Sequence, residues 1–156
     1  KYNNLEEKVT IVNEDIKNLL NVFEKSSFDV IVSNPPYMKK DSAIINEEEN
    51  FAISRHEVKC TFEDISYVVG KLLKPKGKFY LIHRPNRLVD IFYFMRKNNI
   101  EPKRVRMIQP NEKKAANLVL VEGIRDGNID LIVEKPLLVY DKENKYTEEI
   151  LKMYEG

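Results

Sequence analysis

A short apolar run that stops at two prolines limits most strongly how this chain can fold. Three β-branched residues at positions 30–32 are followed by Ser33-Asn34-Pro35-Pro36-Tyr37. Such a run is typical of a buried strand. Proline has a fixed φ and no N–H for a sheet ladder, and it keeps the residue before it extended. We therefore predict a strand that ends at Asn34, where the side chain and the following carbonyls are held in fixed directions.

Strand and helix patterns alternate along the rest of the chain. The predicted strands cover residues 9–12, 30–33, 78–83, 105–109 and 118–121, with weaker ones at 131–133 and 137–140. The predicted helices cover residues 16–23, 61–73, 86–97 and 147–154. This alternation is typical of an α/β fold with a mostly parallel sheet. Because the last two main strands have no helical pattern between them, we expect an antiparallel hairpin at the sheet edge.

Local signals mark the ends of two of these helices. Thr61 and Asp64 have the spacing of a capping box, and Pro75 with Gly77 is predicted to end the helix that they start. Asn86 is predicted to cap the next helix. The predicted inward residues of that helix are Leu88, Val89, Phe92 and Met95.

Length and composition exclude several classes of protein. The 156 residues, 42% hydrophobic, suffice for one packed domain over residues 1–156. The net charge of +1 indicates no strong field for nucleic acid from the total charge. The single cysteine, Cys60, rules out a disulfide framework and favours a cytoplasmic location. No apolar run approaches the roughly 20 residues of a membrane span, and zinc-ligand spacing is absent, so no metal site is predicted.

Polar residues follow two predicted strands at the edge where α/β sheets bind ligands. Asp15 comes after the first predicted strand and Asn34 after the second. The Asp15 carboxylate can accept a hydrogen bond from an adenine amine, while Ile16 packs on the ring face. The alternative for Asp15 is a solvated helix N-cap.

Asn34 suits the recognition of a planar nitrogen group. An exocyclic amine conjugated to a ring is a poor nucleophile, because its lone pair is delocalised; two acceptors on its hydrogens localise that pair. The Asn34 amide oxygen and the Pro35 carbonyl can supply these acceptors. Where the ring that carries the amine is a nucleobase, Tyr37 can stack on it, which gains roughly 1–3 kcal/mol. The alternative is a rigid Pro-Pro turn without chemistry.

Residues 38–60 form a long polar stretch without a clear helix or strand pattern. A loop of this length in a small domain is usually functional or mobile. It contains Arg55-His56-Glu57, which is either solvated surface or part of a site. Basic residues that can contact phosphates are Lys39, Lys40, Arg84, Arg87, Lys103, Arg104, Arg106, Lys113 and Lys114. Solvated surface accounts for these cations equally well.

Several motifs, in order along nearly the whole chain, resemble one family. They are Asn13-Glu14-Asp15-Ile16, Ser33-Asn34-Pro35-Pro36-Tyr37, Arg55-His56-Glu57, the stretch 74–79, His83-Arg84-Pro85 and the stretch 117–123. Together they resemble class I methyltransferases that use S-adenosylmethionine, and most of all the bacterial small-domain methyltransferases related to the valine-tRNA adenine amino-methyltransferase. The Asn-Pro-Pro-Tyr motif alone is shared with DNA adenine, ribosomal RNA guanine and release-factor glutamine methyltransferases.

The resemblance implies a Rossmann-like fold, S-adenosylmethionine as cofactor and methyl transfer to an exocyclic amine, with adenine in tRNA as the first choice of substrate. It implies a catalytic set of Asn34, Pro35, Pro36 and Tyr37, and cofactor contacts from Asp15, Ile16 and Asn34. It implies substrate contacts from Tyr37, Arg55, His56, Arg84 and Asn117. The alternatives are a protein glutamine or ribosomal RNA guanine substrate, a non-catalytic RNA-binding module, and a truncated product with no function of its own.

The family's glycine-rich cofactor loop has no counterpart in these residues. The glycines are at positions 70, 77, 123, 127 and 156, and no Gly-x-Gly occurs. The chain therefore resembles the C-terminal two-thirds of such an enzyme, without the first two strands of the sheet, and we expect it to bind S-adenosylmethionine poorly on its own. We also expect that residues 9–12 cannot pair within the chain's own sheet, and that the open edge forms a homodimer or a strand swap.

Overall fold

The computed structural model describes residues 7–35 and 60–155, which form a six-stranded sheet with helices. The strands are β1 (Phe28–Ser33), β2 (Leu73–His83), β3 (Ile100–Gln109), β4 (Leu118–Arg125), β5 (Ile132–Val133) and β6 (Leu137–Leu138). The helices are α1 (Leu19–Val22), α2 (Phe62–Leu72), α3 (Leu88–Lys97) and α4 (Glu148–Tyr154), with 3₁₀ turns at Ile16–Asn18 and Pro85–Arg87. None of the described helices combines the length and apolar character that crossing a membrane requires.

The sheet is mixed in direction. β1 pairs with β2 in parallel, whereas β4 lies antiparallel between β2 and β3. The two-residue strands β5 and β6 both pair with β3 in parallel. The α/β class and the antiparallel hairpin are as predicted, but the hairpin does not lie at the sheet edge, because β5 and β6 pair with the outer side of β3. A mostly parallel sheet is not found among the described residues, because two of the three long pairings are antiparallel.

The hydrophobic core lies between the sheet and the helices α2 and α3. Phe79, Met95 and Ile100 have 0% solvent exposure. The buried cluster also contains Ile65 and Val69 of α2, and its other members are Leu73, Leu81, Ile91, Val105, Val119 and Val121. Full burial of an apolar side chain of this size stabilises a fold by roughly 1.5–3 kcal/mol.

Helix α2 begins as predicted but ends earlier. The Asp64 N–H donates to the Thr61 hydroxyl at 3.2 Å, and the Thr61 N–H donates to the Asp64 carboxylate at 2.9 Å, which completes the capping box. The helix ends at Leu72, and β2 begins at the next residue. The prediction that Pro75 and Gly77 end the helix is therefore wrong.

Both residues lie instead in an irregular stretch of β2. Phe28 of β1 pairs with Leu73, but Val30 pairs with Lys78, so four residues of β2 bulge out between these two positions. Lys76 in the bulge has a φ of 65°, in the left-handed region. A proline is tolerated at a bulge, where the ladder is already interrupted.

The start of α3 also differs from the prediction. Arg87, not Asn86, occupies the N-cap position, because a 3₁₀ turn with Pro85 in its first turn comes before the helix. Ile91 and Met95, four residues apart, face the core. Val89 is 84% exposed, so its predicted inward position is wrong.

The predicted strand over residues 9–12 is not present. This segment has no strand pairing, and Ile11 in it is 90% exposed. The expectation that it does not pair within the chain's own sheet agrees with this conformation. β1 consequently lies at the end of the strand order, with one neighbour among the described strands.

Candidate functional site

Four strand ends meet at one edge of the sheet, which we call the carboxyl edge. The parallel strands β1 and β2 end there at Ser33 and His83. β4 begins there opposite His83, and β3 ends there at Gln109. Neighbouring strands lie about 4.8 Å apart, which places Asn34 roughly 14 Å from the end of β3. Ligand sites in open α/β sheets lie at an edge of this kind.

Asn34 and Pro35 lead the chain out of β1 at the carboxyl edge. Asn34 is exposed, and Pro35 is buried. The φ of Pro35 is fixed by its ring, and the proline that follows it in the sequence restricts its ψ to the extended region, so the Pro35 carbonyl has a restricted direction next to the Asn34 side chain. The two acceptors predicted for an amine are thus adjacent in the chain, with the side-chain acceptor on an exposed residue.

Asp15 adopts the cap position that the sequence offered as its alternative. It is exposed, and its Oδ1 accepts a hydrogen bond from the Lys17 N–H at 3.0 Å at the start of the 3₁₀ turn. A carboxylate has more acceptor sites than one cap uses, so the cap leaves capacity for a ligand. Ile16 is half-buried and packs against the core cluster, which fixes the position of Asp15 relative to the sheet.

An ion pair joins this turn to the start of α2. The Lys17 ammonium lies 3.4 Å from the Asp64 carboxylate. Partial burial by itself would raise the pKa of Asp64, but hydrogen bonds from Thr61 and the charge of Lys17 lower it overall. Asp64 is therefore held ionised, where it serves both the capping box and the ion pair.

Cys60 lies beside the same cluster. Burial raises the pKa of its thiol, and the negative charges of Asp64 and Asp15 raise it further. The thiolate is the reactive form of cysteine, so this environment disfavours a nucleophilic role. Among the described residues, no group of three or more His, Cys, Asp or Glu side chains is placed to hold a metal ion.

His83 is a buried polar residue at the end of β2, with 6% exposure. Its Nδ1 accepts a hydrogen bond from the Arg84 N–H at 2.8 Å, which requires that Nδ1 carries no proton. Its ring meets Phe62 of α2 edge-on, with centroids 6.2 Å apart. Burial lowers the pKa of His83, and the charges of Arg87 and Arg84 act in the same direction. The neutral ring thus fixes the backbone that presents Arg84.

Arg84 and Asn117 are the two predicted substrate contacts that the structure brings together. The Arg84 guanidinium donates to the Asn117 carbonyl oxygen at 3.2 Å, and both residues are exposed. The contact crosses from the end of β2 to the start of β4, its antiparallel neighbour. The Asn117 side chain takes no part in this bond, because its backbone is the acceptor.

Four predicted site residues lie outside the described part of the chain. They are Pro36 and Tyr37 of the predicted catalytic set, and Arg55 and His56 of the predicted substrate contacts. Asp15, Ile16, Asn34, Pro35, Arg84 and Asn117 are described. Asn34, Arg84 and Asn117 belong to the carboxyl edge, and Asp15 and Ile16 lie in the turn joined to α2.

Comparison with known protein families and sequences gives a consistent result. A family model described as Eco57I restriction-modification methylase matches residues 1–115. The tRNA1(Val) (adenine(37)-N6)-methyltransferase of Dyadobacter fermentans is 26% identical over 120 residues, which cover 74% of this chain and 48% of that protein. Its namesake from Bacteroides fragilis is 22% identical over 148 residues, which cover 94% of this chain and 60% of that protein. The chain thus spans about half the length of the curated relatives it matches.

Solved structures share the fold. A protein of Agrobacterium tumefaciens described as a predicted O-methyltransferase superposes with a TM-score of 0.70 at 17% identity, covering 90% of this chain and 60% of that one. A Thermus thermophilus protein described as a DNA modification methylase, in complex with S-adenosyl-L-methionine, has a TM-score of 0.51 at 16% identity and covers 74% of this chain and 53% of that one. These likenesses confirm the predicted Rossmann-like methyltransferase fold.

Proposed function

Because the chain belongs to the family of Eco57I restriction-modification methylases, whose model matches residues 1–115, we propose that it acts in S-adenosylmethionine-dependent methyl transfer to the exocyclic amine of a nucleobase. The observation that carries the proposal is the position of Asn34 at the end of β1, on the edge where β2 ends in His83. Both curated relatives are named as N6-methyltransferases of adenine in tRNA. Adenine in tRNA is therefore the first proposed substrate, and the cytoplasm the proposed location.

Asn34 and Pro35 hold the target amine in this proposal. The Asn34 amide oxygen accepts one N–H of the amine, and the Pro35 carbonyl accepts the other. The two bonds draw the nitrogen from planar toward tetrahedral geometry, which concentrates its lone pair on the side facing the methyl donor. Because its own ring and the proline that follows restrict the backbone of Pro35, its carbonyl is oriented before the base arrives, so little reorganisation accompanies the reaction.

The cofactor fit rests on the chemistry of the residues near α2. Asp15 offers a carboxylate oxygen to the adenine amine of S-adenosylmethionine, and Ile16 forms part of the wall beside it. When bound, S-adenosylmethionine supplies a methyl group on a positively charged sulfur, and the neutral thioether is a good leaving group. The described residues offer no glycine-rich loop for the rest of the cofactor, so we expect weak binding by this chain alone.

The remaining predicted residues receive the substrate around Asn34. Extruding a stacked base costs a few kcal/mol, and stacking on Tyr37 would return roughly 1–3 kcal/mol. Arg84 and Asn117 stand at the same edge as Asn34, where they can contact the sugar and phosphate of the extruded nucleotide. Arg55 and His56 are proposed as further substrate contacts.

Adenine in DNA is the second candidate substrate. The observation that favours it is the description of the matching family as restriction-modification methylases. The same hydrogen-bonding pair serves either nucleic acid, because the amine and its ring are identical. The choice between them lies in contacts to the backbone and to flanking nucleotides.

Methyl transfer by the full-length protein tests the proposal. Labelled S-adenosylmethionine is offered with unmodified tRNA, duplex DNA, ribosomal RNA and a release factor, and the expected product is N6-methyladenine in tRNA. Asn34→Ala should lower the rate by about 10²–10³-fold, the usual effect of losing one preorganised hydrogen-bonding group. Asn128→Ala is the matched control, because Asn128 is exposed beyond β4 at the opposite edge.

The other outcomes separate the alternatives. Label in DNA but not tRNA selects the second candidate, and label only in the release factor or in ribosomal guanine replaces both. A protein that binds tRNA unchanged after Asn34→Ala and Tyr37→Ala, and transfers no methyl group, is a non-catalytic binding module. For each acceptor, binding to the protein is measured alongside methyl transfer, so that a loss of binding is distinguished from a loss of reaction.

We further propose that the open edge of β1 pairs with a strand from a second copy of the chain. β1 is the end strand of the described sheet, and Val30 and Val32 on it are 50% and 74% exposed. An open edge of this kind offers a row of unpaired backbone groups. We expect a homodimer or a strand swap of the isolated chain, detectable by light scattering. A strict monomer across the concentration range would contradict it.

A further inference from the structure

The basic residues that the sequence predicts as phosphate contacts differ in whether their side chains have protein partners. Five of those that the structure describes already have protein partners. These are Arg84 with the Asn117 carbonyl, Arg87 with Asp90 at 2.8 Å, Lys103 with the Asn128 carbonyl at 3.1 Å, Arg104 with Glu134, and Arg106 with Glu149. A cation that is paired with a carboxylate in this way is largely neutralised and has less to offer a phosphate, whereas a carbonyl partner, as at Arg84 and Lys103, does not neutralise the cation.

Arg104 and Arg106 are the most strongly engaged of the five. The Arg104 guanidinium lies 2.6 Å from the Glu134 carboxylate, and that of Arg106 lies 2.7 Å from Glu149. Arg106 also donates to the Lys135 carbonyl at 3.0 Å. These bonds join β3 to the segment after β5 and to α4, so the two arginines hold the C-terminal part of the chain on the sheet.

Lys113 and Lys114 differ from these five. Both are exposed, and neither has an ion pair with any described residue. They lie in the loop 110–117 between β3 and β4, which is at the carboxyl edge. The exposed Glu112 is the loop's only acidic residue, so the two lysines leave it with a positive balance.

The backbone of this loop is held by its own hydrogen bonds. The Lys113 N–H donates to the Asn111 side-chain oxygen at 3.1 Å, and the Lys114 N–H donates to the Asn111 carbonyl at 3.2 Å. The Asn117 N–H closes the loop onto the Ile108 carbonyl at 3.1 Å. Two flexible ammonium groups are therefore presented from a fixed turn, rather than from a free chain.

We propose that Lys113 and Lys114 contact the phosphate backbone of the nucleic acid on the flank of the target nucleotide. The proposal rests on the nucleic-acid substrate proposed above. Asn34 is roughly 14 Å from the end of β3 along the carboxyl edge, so a strand whose target base lies at Asn34 passes Arg84 and then the loop. The two lysines supply affinity and register, not base specificity.

The salt dependence of binding tests this proposal. The full-length protein is titrated with an unmodified tRNA transcript by fluorescence anisotropy, between about 50 and 200 mM salt. Each lost phosphate contact reduces the magnitude of the negative slope of log K against log salt by about 0.7–0.9. Lys113→Ala/Lys114→Ala should therefore reduce the magnitude of the slope by about 1.4–1.8.

The matched control removes the same charge elsewhere. Lys25 precedes β1, and Lys71 lies in the last turn of α2 directly before β2, so both are exposed at the opposite edge of the sheet. Lys25→Ala/Lys71→Ala should leave the slope as it is in the parent protein. An equal change in both double variants would mean a general charge effect, and it would overturn the proposal.

Two further results keep this proposal separate from the proposed function. If the parent protein binds tRNA with a steep slope and Lys113→Ala/Lys114→Ala binds with the same slope, the lysines are not phosphate contacts, although methyl transfer can still stand. If the slope changes as expected but no nucleic acid is methylated, the contact stands and the proposed reaction fails. If the parent protein binds neither tRNA nor duplex DNA, the phosphate contact is overturned.

Discussion

The described residues before position 36 and those after position 59 contribute different things to the molecule. Apart from Pro35, every buried apolar residue that the structure describes lies between Ile65 and Leu137, and residues 7–33 contribute none. Yet this N-terminal part carries Asp15 and Asn34, two of the residues proposed to handle cofactor and substrate. The fold is thus built largely by one part of the chain, and the chemistry is presented largely by the other.

Strand pairing, polar contacts and partly buried apolar side chains hold the N-terminal part in place. β1 pairs with β2, the Lys17 ammonium meets Asp64, and Ile16 packs on the core. Substitution of exposed site residues in this part should therefore have little effect on the free energy of unfolding. The comparison therefore teaches that stability and activity should respond to different substitutions.

Truncation in the core gives the largest expected effect and the clearest way to break the comparison. Phe79→Ala removes a ring with 0% exposure, and the lost packing should lower the free energy of unfolding by about 3–5 kcal/mol. Val32→Ala in β1, where the side chain is 74% exposed, should change it by less than about 0.5 kcal/mol. Denaturant titration measures both. A loss above about 2 kcal/mol for Val32→Ala would mean that another strand or chain covers β1.

Removing the cap of α2 tests the junction between the two parts. Thr61→Ala breaks the capping box beside the Lys17–Asp64 ion pair, and should lower the free energy of unfolding by about 0.5–2 kcal/mol. Hydrogen exchange in α1 should rise with it. Thr147→Ala is the matched control, because Thr147 caps α4, which has no buried residue, so only local fraying is expected. Equal global effects of the two substitutions would contradict this account.

The pH dependence of stability gives the smallest expected effect. Burial holds the pKa of His83 in the folded protein below its ordinary value of 6.5. As the pH falls below 6.5, the unfolded chain binds a proton that the folded chain resists, so stability present above pH 6.5 decreases toward the folded-state pKa. His83→Asn, which can still accept the Arg84 N–H but does not titrate, should flatten this part of the profile in thermal unfolding.

The second histidine of the chain provides the control for that experiment. His56→Asn removes the only other imidazole and should leave the decrease below pH 6.5 as it is in the parent protein. If His56→Asn flattens the profile and His83→Asn does not, the titrating group is not the buried ring at the end of β2.

The sequence predicted those features of the fold that depend on neighbouring residues, but it did not predict those that depend on pairing between remote segments. The Thr61–Asp64 capping box is found because both partners lie within one helical turn. Pro75 and Gly77 mislead, because breakers look alike whether they end a helix or occupy a bulge, and only the pairing of β1 with β2 decides which. Residues 9–12 have a strand pattern but no strand to pair with in the described sheet.

The candidate site divides in the same way. The position of Asn34 at the carboxyl edge follows from the strand that precedes it, and its motif also indicated the family. The contact between Arg84 and the Asn117 carbonyl joins residues that are 33 positions apart. It depends on the antiparallel register of β2 and β4, which no local pattern contains. The same holds for the ion pairs that occupy Arg104 and Arg106.

Helix α2 ends at Leu72 and β2 begins at Leu73, with no loop between them. One residue inserted in the helix would rotate its apolar face by about 100° and shift the strand that follows. Because no loop separates α2 from β2, no flexible residues can absorb such a change. His83 lies at the other end of β2, and Arg84 follows it. Related chains should therefore vary at the exposed positions of α2 but keep its length, since an insertion there would move the site along with the core.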